Sequence, residues 1–240
     1  MTGTHTDELL DNPVWAALTG PHRGFAEIHG RAARYQPDVA PFTCVSSDDD
    51  PDVWEDLAAL VGPGAVVAVT GTAEPLPRGW TVDADIAGVQ MIDVEVDAAD
   101  DPEAVRLTAS DLPEMVSLIA RTQPGPFLPR TVELGTYLGL RRDGALVAMA
   151  GERLHPPGWT EISAVCTAPE VRGQGLATRL VQAVAAGIRA RGERPFLHAA
   201  ASNTTAIRLY ESIGFTLRRH TTFRAVRVPD RLPADRRSTV

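Results

Sequence analysis

Lysine is absent from this sequence of 240 residues, and all 23 of its basic side chains are arginine. A P-loop requires a Gly-Lys-Ser/Thr ending, so this class of nucleotide-binding loop is excluded. Cysteine is nearly absent as well: Cys44 and Cys166 lie far apart and lack the spacing of metal ligands. Neither a disulfide framework nor a zinc site is supported, and we expect two buried thiols.

Long apolar runs are also missing. The segment from Met1 to Leu10 is polar and acidic, and no apolar stretch approaches the length of a membrane span. We therefore expect a soluble, cytoplasmic protein that does not act at a membrane. Since 44% of the residues are hydrophobic, the chain can bury a sizeable core, either as one large domain or as two small ones.

Charge is divided unevenly along the chain. Residues 1–104 contain 20 acidic and 4 basic side chains, whereas residues 105–240 contain 11 acidic and 19 basic ones. This asymmetry favours two modules whose opposite fields help them dock or attract an anionic cofactor to the second half. Solvated acidic surface explains most of these carboxylates at least equally well. Nucleic acid is a poor partner for the acidic half.

One stretch, residues 161–177, changes from a strand pattern to a helix pattern at a glycine-rich turn. Ile162 to Thr167 is short, apolar and partly β-branched, which predicts a strand that ends before Pro169. A helical period of apolar residues begins at Leu176, and Gly192 predicts its C-terminal end. The stretch therefore predicts a strand, a tight turn and the start of a helix.

The turn itself, Arg172-Gly-Gln-Gly-Leu-Ala177, has the properties of an anion site. Its two glycines permit a sharp turn and leave the backbone accessible, and the amides from Gln174 to Thr178 are unpaired donors at a helix start. A dinucleotide-binding fingerprint would need glycine or alanine where Thr178 stands, so the pattern left is Arg-x-x-Gly-x-Ala. A phosphate group is the expected ligand.

A second motif follows in the chain. Residues 195–200 read as a buried strand, and the next helix is capped by Ser202-Asn203 and closed by Gly214. Its spaced residues are Asn203, Ala206, Leu209, Tyr210, Gly214 and Phe215. In this order, the two motifs resemble those of the GNAT superfamily of N-acetyltransferases, which bind acetyl-coenzyme A (acetyl-CoA), and the resemblance covers about residues 105–228.

The resemblance implies an α/β (α+β) fold in which helices flank a mixed central β-sheet, the GNAT acyl-CoA N-acyltransferase fold. It implies acetyl-CoA as cosubstrate, no metal, and an unidentified amine acceptor. By position it assigns to acetyl-CoA the residues Val165, Cys166, Thr167, Arg172, Gly173, Gln174, Gly175, Leu176, Ala177, Thr178, Asn203, Ala206 and Tyr210.

The resemblance also implies catalytic roles. Acetyl transfer by direct attack in a ternary complex needs a base for the amine and an acid for the leaving thiolate. Tyr210 is the expected acid, against the alternative of a packed helix aromatic. Glu161 is the expected base, provided that burial raises its pKa; water, Glu152 or His198 are the alternatives. An acyl-enzyme on Cys166 is less favoured, because nothing beside it in sequence would activate the thiol.

The acceptor is predicted less sharply. Residues 123–130 are too proline-rich for a helix or strand, and the resemblance places this connection at the acceptor pocket, so Phe127 is a candidate substrate contact. Glu152 is a second candidate. Two readings from other classes stay open, namely a non-catalytic acyl-CoA sensor and a protein-interaction module in the acidic half. A homodimer also stays open.

The pattern in the first half is compatible with a degenerate copy of the same fold in tandem, and we expect modules at 1–104 and 105–228 and a disordered tail at 229–240. The expected helices are Pro13–Leu18, Arg23–Tyr35, Val53–Val61 and a helix from a capping box at Asp111 to Arg121. The expected strands are Gly64–Gly71, Gly88–Val94, Val105–Leu107, Tyr137–Arg141, Ala145–Leu154 and Arg218–Val228. His22 and His29 would share one helix face, where surface histidines are favoured over a metal site.

Overall fold

The computed structural model describes residues 7–46, 52–70 and 76–231. Within these ranges the chain forms five α-helices and one mixed sheet of eleven strands. The helices are α1 Pro13–Leu18, α2 Asp52–Val61, α3 Leu112–Thr122, α4 Leu176–Ala190 and α5 Thr204–Ser212. The strands are β1 Ala26–His29, β2 Ala32–Tyr35, β3 Phe42–Val45, β4 Val66–Thr70, β5 Thr81–Asp93, β6 Val105–Arg106, β7 Tyr137–Arg142, β8 Ala145–Glu152, β9 Trp159–Thr167, β10 Arg194–Ala200 and β11 Phe215–Arg227. No helix in the described ranges is long and apolar enough to cross a membrane.

The strands lie in the order β1-β2-β3-β4-β11-β5-β10-β9-β8-β7-β6. Two neighbouring pairs are parallel, β3 with β4 and β9 with β10, and the other pairs are antiparallel. Each parallel pair is joined by a helix, α2 in the first half and α4 in the second, as a crossover connection requires. The two halves of the chain thus contribute one parallel unit each to a continuous sheet.

The last strands of the two halves are exchanged. β5, from the first half, lies between β10 and β11 of the second half, and β11 lies between β4 and β5. β5 pairs with β10 through residues such as Gln90 opposite His198, and with β11 along its whole length. The first half therefore completes the sheet of the second half. The proposed module boundary at residue 104 stays a prediction, and residues 232–240 of the tail expected at 229–240 lie outside the described residues.

Helix α4 covers one face of β7 to β10. Leu176, Leu180, Val184 and Ile188 follow one another at intervals of four and are all buried, as an amphipathic helix predicts. Gly192, at φ +80°, follows the helix end, where a left-handed residue commonly terminates a helix. This packing fixes the direction in which the N-terminus of α4 points.

Most elements of the second half follow the sequence-based expectations. The hairpin of β7 and β8 turns at Asp143 (φ +50°) and Gly144 (φ +84°), as a two-residue turn of this composition requires. A short 3-10 turn, Thr131–Leu134, lies between α3 and β7. The capping box lies earlier than expected, because Thr108 and Asp111 close a 3-10 turn ahead of α3.

Two expectations for the first half are wrong. Residues 23–35 were expected to form a helix, but they form a 3-10 turn and the hairpin of β1 and β2, which turns at Gly30 with φ +52°. His29 is exposed on β1, whereas His22 is buried with its Nδ1 2.8 Å from the Tyr35 hydroxyl, so they share no helix face. Pairing of β2 with β3 fixes this hairpin in the sheet, and the pattern of residues 23–35 alone does not reveal that pairing.

β5 begins earlier than expected. The strand was expected from Gly88 to Val94, yet β5 runs from Thr81 to Asp93 and includes Asp83 and Asp85. Both carboxylates accept hydrogen bonds from arginines of β11, Asp83 from Arg227 at 2.6 Å and Asp85 from Arg224 at 2.8 Å. Cross-strand pairing of opposite charge offsets the low strand propensity of aspartate.

Candidate active site

A gap opens in the middle of the sheet between β9 and β10. These parallel strands pair only from Trp159 opposite Arg194 to Ile162 opposite Leu197, and no further pairs join them in the described residues. Beyond this point β10 continues to pair with β5 on its other side. The second half of β9, residues 163–167, therefore has one edge free for a ligand.

A bulge in β9 lies at the start of this gap. Met149 of β8 is opposite Cys166 and Gly151 is opposite Ser163, so β9 contains one extra residue between them. Ala164 adopts φ +53°, a conformation that residues other than glycine adopt rarely. Because a bulge interrupts the ladder and bends its strand, backbone groups next to Ala164 are turned out of the β8–β9 pairing. The segment that the resemblance assigns to acetyl-CoA, residues 165–167, follows directly.

The glycine-rich turn lies at the far end of β9. Gly173 and Gly175 adopt φ +77° and +75°, and a Cβ added at either would meet no atom within 4 Å. Among the described residues, no hydrogen-bond acceptor is found for the backbone N–H groups of residues 173–178. These donors point from the N-terminus of a 15-residue helix, α4, whose dipole favours an anion. Arg172, beside them, is held by an Nε bond of 3.2 Å to the Thr167 carbonyl.

Helix α5 follows β10. Its N-cap Asn203 accepts a hydrogen bond of 3.2 Å from the Ala206 N–H, as the sequence pattern predicts. Tyr210 is buried on this helix with its ring 6.2 Å from that of Phe215. Burial raises the pKa of Tyr210 to about 12. Its hydroxyl has no hydrogen-bond partner in the described part of the chain, and it stays protonated at neutral pH.

The two faces of the sheet differ at this site. Side chains alternate along a strand, and residues paired across antiparallel strands point to the same face. Ile162 and Glu152 are paired and lie on the face of α4, where the Glu152 carboxylate accepts from Arg191 at 3.0 Å. Glu161 therefore points to the opposite face. The structure thus separates the two carboxylates that the sequence analysis considered as bases.

Glu161 is fully buried and held by two neighbours. Arg153 donates two hydrogen bonds of 2.8 Å to its carboxylate, and His198 Nδ1 lies 2.7 Å from its Oε1. Burial alone would raise the pKa of Glu161, but the charge and hydrogen bonds of Arg153 and the hydrogen bond of His198 outweigh it and lower the pKa to about 2. The condition set for Glu161 as a base, a raised pKa, is therefore not met.

The hydrogen bonds around His198 have a fixed direction. Arg218 can only donate, and its Nη1 lies 2.9 Å from Gln90 Oε1, so Gln90 Nε2 is left to donate to the Leu10 carbonyl at 2.8 Å and to His198 Nε2 at 3.1 Å. His198 Nε2 must then accept. The ring proton is accordingly on Nδ1, where it is donated to Glu161.

A cavity that encloses about 30 Å³ lies on this face and opens to solvent. Its floor is formed by the hydrogen-bonded cluster of Arg153, Glu161, His198 and Gln90, and its walls come from both halves of the chain. The lining residues are Leu10, Asp11, Pro13, Val14, Phe42, Gln90, Arg153, Leu154, Glu161, His198, Arg219, Thr221 and Phe223. Counted out to its mouth the space is about 470 Å³, part of it open solvent, so the cavity admits a group larger than water.

The two predicted substrate contacts do not line this cavity. Phe127 is half-buried with its ring 5.7 Å from that of Tyr137, in an edge-to-face arrangement. Glu152 is buried and, besides Arg191, accepts from the Thr136 N–H at 3.1 Å. A carboxylate with these two partners is occupied within the fold, so a substrate contact through Glu152 is not supported. A role for Phe127 stays a prediction.

Sequence reasoning missed two residues of the cluster. Arg153 follows Glu152 at the end of a strand pattern, and its proximity to Glu161 depends on the hairpin between β8 and β9. Gln90 is a polar residue within the otherwise apolar run Gly-Val-Gln-Met-Ile, and it is 2% exposed. A polar side chain in such a run signals a buried hydrogen-bond network, because buried polar groups are nearly always paired.

Comparison with known proteins shows which family this chain is similar to. Residues 137–224 match the family model of FR47-like protein. The chain is 42% identical to a crystal structure from Novosphingobium aromaticivorans DSM 12444 that is assigned to the GNAT family of acetyltransferases. That match covers 90% of this chain and 97% of the other, with a TM-score of 0.82.

Two further relatives are more distant. A GCN5-related N-acetyltransferase from Kribbella flavida is 19% identical, with 95% of this chain and 97% of that chain covered and a TM-score of 0.60, which shows a shared fold alone. The mycothiol acetyltransferase of Thermobispora bispora is 35% identical over 127 residues, or 49% of this chain. This match spans only 39% of that relative's length.

Proposed function

Since the chain belongs to the GNAT family of N-acetyltransferases, we propose that it transfers an acetyl group from acetyl-CoA to a primary amine by direct attack in a ternary complex. The gap between β9 and β10 carries the proposal, because it begins at the bulge of Ala164 and leads along the free edge of β9 to the N-terminus of α4. Pantetheine would pair with residues 165–167, and the pyrophosphate would bind the amides of residues 173–178.

The leaving group requires a proton donor. When the amine nitrogen attacks the thioester carbonyl, the C–S bond breaks and a thiolate is released. Tyr210 suits the role of acid, because its hydroxyl keeps its proton at neutral pH and is engaged by no other polar group of the described chain. Tyr210 also packs in the same apolar cluster as Val165 and Cys166.

Deprotonation of the amine is assigned to water. Glu161 is bound by Arg153 and His198, and the Nε2 lone pair of His198 accepts from Gln90, so neither group offers a free basic site. We assign Glu161 and His198 to positioning the floor of the cavity. The proton would pass to a water molecule in the cavity and from there to solvent.

Calorimetric titration with acetyl-CoA tests the cofactor site. Gly175→Arg should abolish micromolar binding, because Gly175 adopts φ +75° and its replacement puts a side chain over the exposed amides. Gly187→Arg is the matched control, since Gly187 lies on the exposed side of the same helix and has no atom within 4 Å of an added Cβ. Equal binding by the two variants, or no binding by the unaltered protein, would refute the site.

For the first half, we propose a degenerate tandem copy of the fold without a second cofactor site. Its elements repeat the order of the second half: the hairpin β1–β2 corresponds to β7–β8, the parallel pair β3–β4 to β9–β10, α2 to α4, and β5 to β11. Where the second half has its glycine-rich turn, the first half has the sequence Ser46-Ser-Asp-Asp-Asp-Pro51. Three consecutive carboxylates would repel a pyrophosphate, so one acetyl-CoA per chain is expected.

A further inference from the structure

The cavity described above lies where an acceptor must stand if the proposed acetyl transfer is right, and the inference rests on that proposal. Glu161 and His198, on its floor, are each one residue from the last β9–β10 pair, Ile162 opposite Leu197. The cavity therefore ends where the strands separate. It lies on the face opposite α4, so an amine could reach the gap without crossing the cofactor's phosphate site.

The charged groups on the floor of the cavity are neutralised by one another. Arg153 and Glu161 are joined by two hydrogen bonds on the floor. At the rim, Asp11 accepts from Arg218 at 2.8 Å and from Arg219 at 2.9 Å. A second charge on a ligand that reached the floor would lose its hydration without gaining a free partner there, which is unfavourable in a partly closed site.

The remaining walls are mostly apolar. Leu10, Val14 and Leu154 are buried against the cavity, and the half-buried rings of Phe42 and Phe223 line it. Phe42 is covered by the Arg153 guanidinium at 4.9 Å, and the Phe223 ring lies 5.9 Å from that of His198. Such walls favour an aliphatic or aromatic group through burial of apolar area.

We propose that this cavity binds the acceptor, and that the acceptor is a primary amine carried by a small, uncharged, mainly apolar group. The first half of the chain then sets specificity, since Leu10, Val14 and Phe42 belong to it. The surroundings also favour reaction, because desolvation disfavours an ammonium ion and so increases the fraction of neutral amine. The nitrogen forms the new N–C bond, the C–S bond breaks, the amine proton goes to water, and the thiolate takes the proton of Tyr210, which solvent replaces.

Three amines of equal chain length test the class: butylamine, 1,4-diaminobutane and 4-aminobutanoate. They end in a methyl group, a cation and an anion respectively. With acetyl-CoA and thiol release as the readout, we expect kcat/KM for butylamine to exceed both others at least ~10-fold. A higher kcat/KM for either charged amine would overturn the proposal, as would acetyl-CoA binding without transfer to butylamine.

Substitutions that fill or narrow the cavity test whether it is the acceptor site. Val14→Phe fills the cavity from the buried side, and Thr221→Phe narrows its mouth without entering the core. Each should raise KM for butylamine roughly 10-fold or more and leave acetyl-CoA binding unchanged. Val116→Phe, on the exposed side of α3, is the control and should change neither. If Thr221→Phe and a folded Val14→Phe both keep the KM of the unaltered protein, the cavity is not the acceptor site.

The experiments distinguish a failure of the acetyl-transfer proposal from a failure of the apolar-acceptor proposal. A protein that does not bind acetyl-CoA would contradict the acetyl-transfer proposal itself, whatever amine is supplied. A protein that binds acetyl-CoA and acetylates 1,4-diaminobutane best would keep that proposal and refute the apolar acceptor.

Discussion

Arg153 and Glu161 face each other with two parallel hydrogen bonds of 2.8 Å, and their side chains are only 13% and 0% exposed. His198 and, through it, Gln90 extend this pair toward the first half of the chain. A charge pair at such depth is sensitive to the loss of either member, because the other is left buried without compensation. The floor of the cavity therefore depends on both.

Glu161→Leu and Arg153→Met should each lower the free energy of unfolding by about 3–5 kcal/mol, because each leaves a buried group unpaired. The double variant Arg153→Met/Glu161→Leu should lose much less than the sum. Urea unfolding of the four proteins measures the cycle. Glu170→Gln is the control, since it breaks an exposed pair with Arg121, also with two hydrogen bonds, at 2.7 and 2.8 Å, and should cost about 0–1 kcal/mol. Additive losses would show that the pair is uncoupled.

The same pair predicts how stability depends on pH. The pKa of Glu161 is about 2 in the folded chain, below its unfolded value of 4.5, although burial alone would raise it, because Arg153 and His198 favour the charged form. The stability from this group is complete above pH 4.5 and is lost as the pH falls from there towards 2. Unfolding free energies measured over this window should fall more steeply for the unaltered protein than for Arg153→Met/Glu161→Leu. Parallel curves would contradict the assignment.

Tyr210→Phe separates catalysis from folding. The hydroxyl has no hydrogen-bond partner among the described residues, so its removal should change the unfolding free energy by less than about 0.5 kcal/mol. If it is the general acid, kcat should fall by roughly 10²-fold with little change in acetyl-CoA binding. Pre-steady-state thiol release and calorimetry measure the two quantities. An unchanged kcat would assign Tyr210 to packing against Phe215 alone.

Removal of residues 1–104 tests whether the halves are independent. The fragment 105–240 lacks β5, which pairs with both β10 and β11, and it would expose two long strand edges. We expect it to aggregate or to unfold without a cooperative transition, whereas the full chain should unfold cooperatively. Sedimentation and urea unfolding distinguish these outcomes. A monomeric fragment that folds and binds acetyl-CoA would establish 105–228 as a self-sufficient module.

The backbone conformation of the two motif segments could be predicted from sequence because their information is local. The turn of Gly173 and Gly175 and the cap of Asn203 each specify a backbone conformation within a few residues. The structure places both on the expected elements. The bulge at Ala164 has no comparable signal, because it depends on how β9 is paired with β8.

The acceptor side could not be predicted because its residues meet only in the folded chain. Leu10 and Phe42 carry no motif, and they reach the cavity through the packing of the first half on the second. The pKa of Glu161 likewise depends on Arg153 and His198, which come from different strands. Sequence position predicted the carboxylate, and only the fold supplies the charges that lower its pKa.

The exchange of β5 and β11 has a consequence for synthesis of the chain. Asp85 and Arg224, which pair across these strands, are 139 positions apart. On the ribosome, β5 emerges long before either of its neighbours exists, so Val89 and Met91, both buried in the finished sheet, stay exposed to solvent for that interval. Contacts between residues so far apart in sequence slow folding, and they leave unpaired strands open to association in the meantime. The first half is thus expected to depend on rapid completion of translation, or on a chaperone, to avoid aggregation.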